Sequence, residues 1–164
     1  MPEIVAAIAE LVAVTVYVKE IEALFVYKKS KHENPTELDP VDLQPMIDAG
    51  LIHVVDFESE SERINFVNLT VQRIDDGEAA TGAIAINRNW AIATDDRRSR
   101  AIFDQEAPHI QLISTPELVK HWVDTMSPDP GTISQVLKEI ENRANYLVSP
   151  KDPLHSWWQG SMFM

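Results

Sequence analysis

Cysteine is absent from the 164 residues. Disulfides, thiolate metal sites and cysteine nucleophiles are thereby excluded. A reducing, cytoplasmic setting is compatible with this. Long apolar runs are absent too. The longest, Leu11 to Val18, is too short to cross a bilayer. The N-terminus has no basic leader, and Glu3 and Glu10 interrupt its apolar residues, so no signal peptide is expected. Positive charge is scarce: 14 Lys and Arg stand against 26 Asp and Glu, a net charge of -12. Such a chain does not hold nucleic acid by a broad basic surface. It leaves room for a nucleic-acid enzyme that meets its substrate through a bound cation, and it suits docking onto a basic partner. The five histidines, His32, His53, His109, His121 and His155, show no ligand spacing. Ser99, Ser114 and Thr115 lack a base partner, so a serine hydrolase is not expected.

What is present is the make-up of one globular domain, 45% hydrophobic and 24% charged. No repeat or low-complexity tract interrupts it. Residues 2–9 read as a short helix and 11–17 (LVAVTVY) as a buried strand. A helix is predicted at 18–30 with Ile21, Leu24 and Phe25 on its buried face. A polar connection, SKHENPTELDP, leads to a helix at 40–49 ended by Gly50. A strand at 51–57 (LIHVVDF) precedes a helix opened by Ser59 and Glu62 as a capping box and carrying Ile64, Val67, Leu69 and Val71. The small-residue helix DDGEAATGAIAIN comes next. The strand 90–94 (WAIAT), the helix DDRRSRAIF and the strand 109–113 (HIQLI) follow. Thr115 and Pro116 start a helix with Leu118, Trp122 and Met126 on one side. The last helix, 132–147, has Ile133, Val136, Leu137, Ile140, Ala144 and Leu147 as its stripe, and SPKDPLHSWWQGSMFM is expected to be irregular. Strands separated by helices imply an α/β fold, a parallel sheet with helices on both faces. Ligands of such sheets bind beyond the carboxyl ends of the strands.

The stretch from Asp75 to Phe103, DDGEAATGAIAINRNWAIATDDRRSRAIF, resembles the second half of PIN-domain nucleases. There a GEA helix start is followed by a short strand ending in an aspartate pair and arginines. The earlier VAVTVYVKEIEAL is similar to the family's strand and glutamate helix. The resemblance covers most of residues 2–126. It implies a PIN-like domain over 1–126, with 127–164 packing on it as a C-terminal helix and tail. It also implies phosphodiester cleavage by carboxylates clustered around Mg2+ or Mn2+, since hard cations prefer carboxylate oxygens. Carried over by position, Glu20, with Glu22 as competitor, matches the helix glutamate, Glu78 the acid of the GEA helix, and Asp95 and Asp96 the later pair. Arg97, Arg98 and Arg100 would hold phosphate beside the metal. The implied function is a ribonuclease acting on single-stranded RNA, in the setting of a toxin with a protein antitoxin. The alternative is an inactive PIN-like protein-interaction module. Family members open with a strand ending in an aspartate, whereas Met1 here sits at the start of the following helix. The expectation is therefore a domain without that inner strand and with impaired nuclease activity. Such a chain would be poorly stable, or would fill a groove between 11–17 and 90–94 with its own tail, a partner strand or a homodimer mate.

Each acidic residue also has a local reading. Asp75 with Glu78 has capping-box spacing, Asp95 or Asp96 can cap the RRSRAIF helix, and Glu20 and Glu22 can be solvated helix-edge residues. His53 and His109 are expected to pack within strands. Trp157 and Trp158 are expected to fold back onto their own domain rather than anchor a partner.

Overall fold

A computed structural model of the chain describes residues 2–8, 11–22, 24–29 and 36–163. The fold is mixed α/β. Helix α1 (Pro2–Ala6) leads to strand β1 (Ala13–Thr15), the middle of the predicted 11–17 strand. The helix expected at 18–30 does not form. A π-helical turn, Tyr17–Ile21, runs instead into strand β2 (Phe25–Tyr27). Ile21 and Phe25, assigned to a buried helix face, are 65% and 51% exposed. The reason is non-local. The aromatic and β-branched Phe25-Val26-Tyr27 suits extended chain and pairs antiparallel with β3 (Leu38–Pro40), Val26 opposite Asp39. Arg143 pins this hairpin from a distant helix, donating to the Tyr27 carbonyl at 3.1 Å and to Asp39 at 3.2 Å. Most of the polar connection, His32 included, lies outside the described residues.

Helix α2 (Gln44–Asp48) ends as the sequence indicates. Gly50 takes a left-handed φ of 69° and donates to the Ile47 carbonyl at 2.9 Å. Strand β4 (His53–Val55) lies parallel to β1, Ala13 opposite His53. Two helices follow, α3 (Glu60–Val71) and α4 (Asp76–Arg88). Strand β5 (Ile92–Ala93), helix α5 (Arg97–Glu106) and strand β6 (Leu112–Ile113) complete a second parallel pair, Ile92 opposite Leu112. The four predicted strand positions hold strands, each shorter than expected. They do not join one sheet: β1–β4, β2–β3 and β5–β6 are separate ladders. Both parallel ladders rest on α4. Its Ala79, Ala80 and Ala83 are fully buried, and side chains this small let strands and helices approach its backbone closely.

Helices α6 (Thr115–Met126), α7 (Pro130–Arg143) and α8 (His155–Met162) close the chain. Half of the tail expected to be irregular is α8, and the stretch before it is irregular as expected. Trp158 and Met162, four residues apart, bury one face of α8 against α1, α6 and α7 in a cluster with Ile4, Trp122 and Leu137. Trp158 is fully buried and its indole N–H donates to Glu141 at 2.9 Å, so this tryptophan does fold back on the domain. A second cluster joins Leu69, Ala79, Ala83, Ile92 and Phe103 beneath the β5–β6 pair. Some expected core positions face outward instead. Met126 and Leu147 are exposed, as are Ile64, Val67 and Val71, while Val119 takes the inner place on α6. His53 and His109 are exposed, because His53 points out of its ladder and His109 sits in the turn before β6.

Candidate functional site

The acidic residues gather around the start of α4 and the loop after β5. Ser59 and Glu62 show what a capping box looks like here. The Ser59 hydroxyl accepts from the Glu62 amide at 3.2 Å, and Glu62 accepts from the Ser59 amide at 2.9 Å. Asp75 and Glu78 share that spacing but do not form the box. Asp75 makes no side-chain cap bond. Glu78 turns away to accept from Thr94 Oγ1 at 3.1 Å, and from the Ser99 hydroxyl through its other oxygen. Thr94 Oγ1 in turn accepts from the Asp96 amide at 3.2 Å, and Asp96 accepts from the Ser99 amide at 2.7 Å. These bonds close a ring that ties the first turn of α4 to the end of β5 and the start of α5.

Of the two candidates near position 20, Glu22 belongs to this site and Glu20 does not. Glu20 is 60% exposed in its side chain and, among the described residues, pairs with the neighbouring Lys19 at 3.7 Å. Glu22 terminates the π-turn and lays its carboxylate over Gly77, whose amide donates to it. A methyl group on Gly77 would overlap that carboxylate, so glycine makes room for the contact. Burial raises the pKa of Glu22, and the charges of Glu78, Asp75 and Asp76 raise it further against the Gly77 hydrogen bond.

The aspartate pair splits. Asp96 is the N-cap of α5, and the Ser99 amide holds its carboxyl below the ordinary range. Asp95 reaches the start of α6 instead. It accepts from the Thr115 amide at 3.1 Å and the Thr115 hydroxyl at 2.5 Å, and from the Tyr146 hydroxyl at 3.1 Å. Burial raises the pKa of Tyr146, and the charge of Asp95 adds to the shift. The arginines are mostly engaged with backbone: Arg98 donates to the Gln72 carbonyl at 2.9 Å and Arg100 to the Thr94 carbonyl at 2.8 Å. Arg97 is exposed.

The structure thus brings Glu78 and Asp96 together at the end of β5, lays Glu22 beside the first turn of α4, and sends Glu20 and Asp95 elsewhere. Glu78 and Asp95 find partners in Ser99, Thr94 and Tyr146. Nothing in the sequence points to them, because Glu78 meets Ser99 across 21 residues and Asp95 meets Tyr146 across 51. Comparison with protein-family models, with curated proteins and with solved structures finds no match.

Proposed function

We propose that the chain is a PIN-like α/β module whose acidic end takes a divalent cation, Mg2+ or Mn2+, in the service of cleaving single-stranded RNA. The supporting observation is the nearness of two acids from separate segments: Glu22, after β1, lies over the first turn of α4, near enough to Glu78 for the two to repel. The fit to a cation is that of a pair. Among the described residues, no three Asp, Glu, His or Cys side chains are placed to grip one ion together. A Mg2+ that keeps most of its water needs one or two carboxylates, and Glu22 with Glu78 supplies two. A bound cation of this kind provides a hydroxide and offsets phosphate charge. The residues themselves do the positioning. Ser99 and Thr94 fix the two Glu78 oxygens, and the Gly77 amide orients Glu22. Exposed Arg97 stands at the same helix start as a phosphate contact. A toxin held by an antitoxin protein is the biological setting this reading implies.

A second reading is a PIN-like protein-interaction module without catalysis. It is favoured by the saturation of the carboxylates, since Glu78, Asp95 and Asp96 already accept hydrogen bonds from hydroxyls and amides. One experiment separates the two. Mn2+ is titrated calorimetrically into the wild type, Glu22→Gln and Glu78→Gln, and each protein is then incubated with single-stranded RNA and Mn2+. The first reading expects each variant to lose affinity by about tenfold or more and to lose cleavage with it. Equal cation binding by the wild type and Glu78→Gln, with no cleavage by either, leaves the second reading.

A further inference from the structure

We draw no further inference here: the strongest candidate, the exposed apolar stripe of Ile64, Val67 and Val71 along the outer face of α3, carries none because nothing in the structure shows what covers it.

Discussion

Replacing Glu62 by glutamine removes one charge from the most enclosed ion pair among the described residues. The Glu62 side chain is 3% exposed and that of Arg88 15%, with Arg88 Nε 2.7 Å from the carboxylate. Burial works against the Glu62 charge. The hydrogen bond from Arg88 and those from the Glu58 and Ser59 amides outweigh it and hold the carboxyl at about 2. A carboxyl drawn from its ordinary 4.5 down to about 2 contributes about 3 kcal/mol at neutral pH, at about 1.4 kcal/mol per unit. The sign follows from the direction of the shift. The contribution is complete above about pH 5, fades as pH falls, and is about 1.4 kcal/mol at pH 3. Glutamine matches the protonated acid in shape and still caps the helix, so Glu62→Gln isolates the charge. Urea unfolding of both proteins from pH 7 down to pH 3 measures this. The expected difference is about 3 kcal/mol at pH 7, shrinking by more than half at pH 3. A difference below about 1 kcal/mol at pH 7, or one that does not change with pH, would refute the reasoning.

Packing predictions follow from the same structure. A methyl group at Gly82 would overlap the Phe103 ring, which is 1% exposed and backed by Leu69. Gly82→Ala should therefore destabilise by about 1–3 kcal/mol despite alanine's better helix propensity, and a rise in the urea midpoint would show that the ring can yield. Trp158→Ala empties a fully buried site and should cost about 3–5 kcal/mol. Trp158→Phe, which gives up mainly the bond to Glu141, should cost much less, and an equal loss in both would deny that packing dominates there. Gly77→Ala should displace the Glu22 carboxylate and weaken Mn2+ binding with little effect on the unfolding midpoint, since the obstructing group is the end of a flexible side chain.

Features that neighbouring residues settle among themselves can be read without coordinates. The Ser59–Glu62 box, the Gly50 stop and the positions of β1, β4, β5 and β6 are local matters of cap chemistry, backbone freedom and β-branched runs, and all were legible. The acidic residues at strand ends were legible as candidates for the same reason. Their orientation was not. Ser59–Glu62 and Asp75–Glu78 have the same spacing, yet one is a capping box and the other is not, because Thr94 and Ser99 offer Glu78 hydroxyls from 16 and 21 residues away. Ile21, Leu24 and Phe25 keep a helical spacing, yet the hydrogen bonds offered by Leu38–Pro40 draw Phe25–Tyr27 into a hairpin. The tail has little local reason to be helical until Trp158 and Met162 find the cluster made by α1, α6 and α7. Tertiary structure alone also decided which face of α3 is inside, since both of its faces are apolar and only the place of α4 distinguishes them. Periodicity records where apolar residues lie on an element, but the partner that buries them comes from elsewhere in the chain.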